Sequence, residues 1–290
     1  WMVVGICFLR KQKHFLGGAA LTYGALLRVF PGFVVFAMIL KALYGMFRER
    51  RIFLTPQHVR FAAGCLVTLA LLIPASGWAM NGLDAWPQFA QNSAKHLKTA
   101  LTNNMGLKTV MGYDLQTRAI KMRNDKLEDP FREWKDAKEH LYATRAPFMY
   151  IVIALFCLML ARAGDREEDD WVIACLGTGL IVMAAELTCY YYGFLLTYGL
   201  LWERRKLPGI LSALLAAFTC FVYDFLSWND DHFAAMSLAS VVVVVAVTAQ
   251  SAFGKRAPAD AAEPSESMRA KRLKKRSPPG SMPPIVAEPR

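Results

Sequence analysis

Apolar residues along this chain come in runs. Nine segments are apolar over most of their length: residues 1–9, 15–27, 32–47, 59–80, 147–162, 171–186, 190–202, 209–226 and 234–253. Short charged loops part most of them. One polar block, residues 81–146, divides the first four from the last five. Runs of this length and polarity predict membrane-spanning helices rather than one globular core. No repeat of fixed period is present.

The loops predict which side each run starts from. "RKQK" (Arg10 to Lys13), "RERR" (Arg48 to Arg51), "ERRK" (Glu203 to Lys206) and the C-terminal tail are basic and are expected on the cytoplasmic side. "SWNDDHF" (Ser227 to Phe233) is acidic and is expected outside. "GDREEDD" (Gly164 to Asp170) is acidic yet falls inside in this scheme, against the trend. If "RKQK" and "RERR" share a side, the run between them crosses an even number of times and turns back near "RVFP". The run from Trp171 to Trp202 then turns near "ELTCYYY" in the same way. Each limb is shorter than the roughly 20 residues that an α-helix needs to span a bilayer. The alternative is one long, tilted, proline-kinked helix in each place.

The polar block then lies outside. "DAWPQFAQNSAKHLKTALTNNMG" (Asp84 to Gly106) spaces Phe89, Ser93, Leu97 and Leu101 at intervals of four. Pro87 suits a first helical turn, and Asn103, Asn104 and Gly106 suit a stop. "DPFREWKDAKEHL" (Asp129 to Leu141) repeats the design, with Asp129 as cap and Phe131, Trp134 and Leu141 on one face. Both read as amphipathic helices on the outer membrane surface or against the bundle. The fold class expected is all-α: a polytopic transmembrane helical bundle with short paired limbs and external amphipathic helices. Its parts are residues 1–80, 81–146, 147–253 and a disordered basic cytoplasmic tail, 254–290.

Composition agrees with this. The 290 residues are 55% hydrophobic, and mean hydropathy is +0.26. The net charge of +11 sits beside apolar runs and in "MRAKRLKKR" (Met268 to Arg276), a pattern that points to anionic lipid and not to nucleic acid. Six cysteines lie in or beside apolar runs with no CxxC pair, so neither a disulfide framework nor a zinc site is expected. The opening "WMVVGICFLRKQK" lacks the features of a secretory signal. It reads as the end of a helix cut midway, with an N-terminal part missing.

Few residues offer chemistry. Arg28 interrupts an apolar run, and with a turn at "RVFP" its guanidinium sits at the outer mouth of the bundle. There it can pair with a phosphate by two parallel hydrogen bonds, or simply snorkel to the interface. Pro31 removes a backbone donor and holds the turn. His96, Asn103 and Asn104 can hydrogen-bond a sugar or phosphate, or form an ordinary surface helix and its stop. Glu186, followed by Thr188 and Tyr190 to Tyr192, combines a carboxylate with flat aromatic faces suited to a sugar ring; the alternative is an interfacial aromatic belt. Asp230, Asp231 and His232 read as a solvated loop rather than as metal ligands. No phosphate loop, HExxH, GxSxG or Walker motif occurs.

"GALLRVFPGFVVFAMILKALYGMFRERR" resembles a segment of the polytopic GT-C superfamily of glycosyltransferases: two small residues, Lys or Arg, x-x-Pro, an apolar limb and a basic loop. The likeness is greatest to the bacterial branch that uses polyprenyl-phosphate-linked sugars, the mannosyl- and arabinofuranosyl-type transferases. "ELTCYYYGFLLTYGLLWERR" and "WPQFAQNSAKHLKTALTNNMGL" resemble that branch's aromatic turn and an external segment. The resemblance covers most of residues 15–206. It implies sugar transfer from a polyprenyl-phosphate donor to an acceptor on the non-cytoplasmic face of a bacterial inner membrane. Arg28 and Pro31 would stand at the lipid phosphate, and His96, Asn103, Asn104, Glu186, Tyr190 and Tyr191 near the sugars. Arginine stands here where lysine is commoner. The family's catalytic aspartate falls upstream of this chain. No cofactor is implied, and the sequence does not support a divalent metal. The expected partners are membrane lipid and the polyprenyl-phosphate sugar, with no nucleic acid. Two other classes fit broken limbs and a membrane carboxylate: a transporter or lipid carrier, and a non-catalytic scaffold.

Overall fold

The structure is a computed structural model. It describes residues 1–80 and 82–255, apart from the side chains of residues 96–98. The expected tail lies, beyond residue 255, outside the described residues.

The all-α expectation holds. The chain order is α1 (Met2–Arg10), α2 (His14–Leu27), α3 (Pro31–Glu49), α4 (Pro56–Ala79), α5 (Ala85–Lys98), β1 (Asn104–Met105), α6 (Leu107–Met111), α7 (Arg132–Arg166), α8 (Asp170–Gly177), α9 (Gly179–Ala184), β2 (Leu187–Thr188), a 3-10 helix (Cys189–Glu203), α10 (Lys206–Phe225) and α11 (Asn229–Phe253). Among the described residues five helices, α3, α4, α7, α10 and α11, are long and apolar enough to cross a membrane. In α4 and α10 only 11% of the apolar window is buried, against 56% in α11. An unpartnered apolar surface of that extent marks a membrane protein whose outer helices face lipid. Around α11 the centre is packed by Leu160, Ile173, Leu176, Tyr198 and Val244, all essentially inaccessible.

Both short runs are paired limbs. His14 at the start of α2 and Lys41 late in α3 meet the same residue, Asp170, so α2 and α3 run in opposite directions and turn at Arg28. α8 and α9 leave Asp170 and reach Thr188, which pairs with Asn104 of the polar block. The 3-10 helix then returns, and Glu203 meets Arg10 while Arg204 meets Asp169. Its geometry answers the length problem. Fifteen residues rise about 30 Å at the 3-10 pitch but only about 22 Å as an α-helix. The side chains follow a period of three: Leu195, Tyr198 and Leu201 are buried, while Tyr190, Gly193, Leu196, Gly199 and Trp202 are exposed.

The acidic loop that ran against the charge trend has a local reason. Arg48 bonds Asp165 at 2.6 Å, Arg205 bonds Glu167 at 2.6 Å, and Arg204 meets Asp169. The acidic loop and the basic loops share one end, here the basic-loop end, and neutralise each other.

At the opposite, polar-block end two expectations need correction. The external helix at Asp129 and the apolar run 147–162 are one helix, α7, of 35 residues or about 52 Å. Pro147 removes one backbone donor, and Ala143, whose carbonyl loses that partner, is exposed. Asp129 still organises the start, accepting from the Phe131 backbone N–H at 3.1 Å and from Lys135 at 2.7 Å. The second correction concerns Asn103, Asn104 and Gly106. They do not stop α5, which ends at Lys98; Asn104 pairs in a strand with Thr188, and Met105 with Leu187. Gly106 has φ +128°, and a Cβ on it would stand 2.5 Å from the Ala185 carbonyl oxygen, so only glycine fits. The helix expected after Asp84 forms as α5; its described side chains are largely exposed, and its start is tied by Trp86 Nε1 donating to Ser76 at 3.0 Å.

Candidate functional site

Arg28 occupies the turn between α2 and α3. Its backbone is extended, and its N–H donates to the Gly24 carbonyl at 2.9 Å, closing α2. Pro31 opens α3, where a missing donor does no harm. The turn is tight, because a Cβ on Gly24 would lie 3.3 Å from Pro31 Cγ. The Arg28 side chain is exposed, with its guanidinium 5.6 Å from the centre of the Tyr191 ring. Phe30 meets that ring edge-on at 5.1 Å and fixes it. Arg28, Leu27, Phe30, Pro31, Tyr191 and Phe194 line a cavity of about 280 Å³, and Trp1 closes one side. Among the described residues Arg28 forms no ion pair. A guanidinium without a carboxylate, beside an apolar cavity at the end of a membrane bundle, suits an anion that carries a hydrocarbon chain.

A second cavity of about 420 Å³ lies on the other side of the same helical turn. Tyr190, Tyr192, Leu196, Leu215, Thr219 and Val243 contribute to its wall. The Tyr190 and Tyr191 rings are 4.5 Å apart, so this aromatic pair separates the two cavities. The hydroxyls of Ser212, Thr219 and Ser240 donate to carbonyls of their own helices at 2.8, 2.9 and 2.8 Å. That leaves the wall effectively apolar.

Glu186 has a different setting from an open sugar-facing carboxylate. It is buried just after α9. Oε1 accepts from Lys138 at 2.9 Å and from the Thr109 hydroxyl at 3.1 Å, and Lys108 Nζ is 3.5 Å from Oε2. The two lysines also lie over aromatic rings, Lys138 over Trp134 and Lys108 over Tyr142. Glu186 thus ties α6 and α7 to the end of α9.

Asn103 and Asn104 also serve the scaffold. The Asn103 carbonyl accepts from the Cys189 N–H at 3.0 Å. Asn104 is buried and lines a polar cavity of about 20 Å³ with Thr109, Tyr113, Lys138 and Asp230. That volume suits one water and no sugar. The side chain of His96 lies outside those described.

Asp230 and Asp231 do not form a solvated loop. They open α11 and clamp the polar block. Asp230 accepts from Trp134 Nε1 at 2.9 Å and from the Ala119 N–H at 3.2 Å. Asp231 accepts from Arg118 through two bonds, 3.0 and 2.9 Å, and from the Tyr113 hydroxyl at 2.8 Å. Burial, and then the bond to Asp231, push the Tyr113 phenol up to about 12. His232 turns its Nε2 to the Leu226 carbonyl. Among the described residues no group of three or more His, Cys, Asp or Glu is placed to hold a metal ion. The spacing Trp134, Lys138 on α7 against Asp230, Asp231 on α11 was present in the sequence, but nothing there paired them.

Comparison with family models, with curated proteins and with solved structures gives no match. The functional reading therefore rests on the Arg28 mouth and its two apolar cavities.

Proposed function

We propose that this chain is a membrane glycosyltransferase of GT-C type, moving a sugar from a polyprenyl-phosphate donor to an acceptor at the non-cytoplasmic face. One observation carries the reading: among the described residues the Arg28 guanidinium has no carboxylate partner, and it stands at the rim of an apolar cavity, over Tyr191 and beside Pro31. A lipid phosphate pairs with the guanidinium while its hydrocarbon chain lies along the apolar wall. In the reaction the glycosidic C–O bond to the phosphate breaks, and the acceptor hydroxyl oxygen forms the new bond to the sugar. Arg28 stabilises the negative charge that develops on the departing lipid phosphate. Tyr191 positions Arg28, and the exposed Tyr190 offers a flat face to a sugar.

The general base that takes the acceptor proton is not assigned to any residue of this chain. The polar-block end faces the non-cytoplasmic side in this reading, since the basic loops gather at the other end.

A carrier would gather its charged groups at mid-height of the bundle. Between Asp170 at one end and Glu186 at the other, residues 171–185 carry no charged side chain, and the buried Thr178 there meets Thr197, while Arg28 and Glu186 share one end. This favours a transferase over a carrier. The test is transfer from a polyprenyl-phosphate sugar by the membrane-inserted protein and its Arg28→Ala variant. Loss of transfer with normal insertion supports the reading. Full transfer by Arg28→Ala ends it.

A further inference from the structure

The cavity of about 420 Å³ beyond the Tyr190–Tyr191 pair takes no part in holding a lipid phosphate at Arg28. Its shape follows from the 3-10 helix. In such a helix side chains at i and i+3 stand in one column. Tyr190, Gly193 and Leu196 form a column of this kind, and all three line the cavity. A Cβ on Gly193 would meet nothing within 4 Å, so the glycine leaves a gap in the column. α10 and α11 supply the remaining walls. At the basic-loop end α10 and the 3-10 helix touch, because a Cβ on Gly209 would run into the Trp202 ring. Along α10 the cavity extends from Ser212 to Tyr223, a rise of about 16 Å toward the polar-block end.

The walls select the occupant. The volume lies within the range of small-molecule sites, about 300 to 1,000 Å³. None of the residues lining the cavity is charged, and its wall hydroxyls are taken by their own helices. An elongated apolar space of this kind suits a hydrocarbon chain. At the polar-block end two exposed phenols, Tyr190 and Tyr223, line it. A head group there meets hydroxyls and flat rings, but no cation belongs to the lining. A phosphate, which pairs with a guanidinium at the Arg28 mouth, finds no such partner here. A sugar or alcohol needs none. We propose that this cavity binds the chain of a lipid with an uncharged, hydroxyl-bearing head, and that this lipid is the acceptor.

The acceptor role rests on the transferase reading; the choice of an uncharged head rests on the cavity alone. The surroundings agree with it. Lys108 and Lys138 are committed to Glu186, and Arg118 to Asp231. The buried His232 ring, 5.0 Å from that of Tyr223, turns its Nε2 to the Leu226 carbonyl. The exposed residue after Tyr223 is Asp224, a carboxylate, which disfavours an anionic head further. With the chain seated here, the aromatic pair stands between the acceptor and the donor phosphate. The acceptor hydroxyl is then held at the same end of the bundle as Arg28, and a water-soluble sugar lacks the anchor that keeps it there.

The test uses the full chain in phosphatidylcholine nanodiscs and a dodecyl glucoside that carries a diazirine near the end of its chain. Irradiation is expected to label the 3-10 helix and α10 around Leu196 and Ala216. Unlabelled dodecyl glucoside is expected to remove this label, and dodecyl phosphate at the same concentration to leave most of it. Gly193→Leu puts a side chain where no atom stands, and binding is expected to weaken about tenfold, the loss of roughly two buried methylenes. Label that no competitor removes, or that is spread as densely over α4, overturns the proposal. Equal competition by dodecyl phosphate makes the occupant a phospholipid tail and overturns it too. If Gly193→Leu does not accumulate, the wild-type competition decides. The acceptor role is read from transfer in native membranes. Dodecyl glucoside is expected to compete with the acceptor, with about tenfold more needed in Gly193→Leu. Transfer that a saturating glucoside leaves unchanged overturns that role. No transfer at all by the wild type fails the transferase reading instead, and cross-linking still decides the cavity.

Discussion

At the basic-loop end, Arg10, Arg48, Arg204 and Arg205 each meet a carboxylate, so these four charges are paired in place. At the polar-block end, Lys108, Lys138 and Arg118 meet carboxylates at the ends of apolar segments, Glu186 and Asp231, but Arg28 meets none among the described residues. The same residue types build a layer of paired charges over the acidic loop at one end and, at the other, a clamp that does not take up Arg28. A cation that the fold does not use is free for a ligand, whereas a buried carboxylate under two lysines is already committed. This difference directs attention to Arg28 and away from Glu186, although both interrupt apolar surroundings in the sequence.

The sharpest way to break the comparison is to remove each charge in turn. Glu186→Ala leaves Lys138 and Lys108 unpaired in a buried site and is expected to destabilise the fold by about 4 kcal/mol. Thermal unfolding in detergent measures this, and an unchanged Tm would show that Glu186 is not the clamp. Arg28→Ala is expected to lower sugar transfer about 100-fold, or about 2.7 kcal/mol in the barrier, with stability altered by less than about 0.5 kcal/mol. Gly106→Ala forces a Cβ against the Ala185 carbonyl at a positive φ; a loss of about 2 kcal/mol is expected, measured as faster proteolysis of the polar block. Trp134→Phe removes one hydrogen bond to Asp230, for about 1 kcal/mol. The smallest effect is on pH. Because the Tyr113 phenol is held up to about 12, its neutral form is the one the fold favours. It adds no pH dependence below about 10 and weakens the clamp between about 10 and 12. Absorbance titration of the wild type minus Tyr113→Phe should show a midpoint near 12; a midpoint near the ordinary phenol value of about 10 would mean that Tyr113 does not reach Asp231.

Much of the bundle was legible because spanning runs are read from hydropathy alone. The paired limbs followed from charge: two basic loops on one side force an even number of crossings between them. The turn at Arg28 and Pro31 was visible for the same reason, as proline must begin a new helix there. The merger that forms α7 was not legible. A proline before an apolar run ordinarily marks a boundary, yet here it loses one hydrogen bond at an exposed turn. The 3-10 helix left a trace that periodicity of 3.6 hides, namely Tyr192, Leu195, Tyr198 and Leu201 at intervals of three. Asp230 and Asp231 looked solvated because their partners, Trp134, Arg118 and Tyr113, are roughly a hundred residues away in sequence.

Sequence by itself determined that the chain is helical, that its outer faces are apolar, and where its direction reverses. These are properties of local composition and of charge placement, and no distant contact alters them. Tertiary structure alone decided which charged groups are used up. Whether a carboxylate faces a ligand or a lysine depends on partners brought from far along the chain, as Lys138 is to Glu186 and Lys41 is to Asp170. Ion pairing acts over a few ångströms in space without regard to separation along the backbone, so only the folded chain sets Arg28 apart.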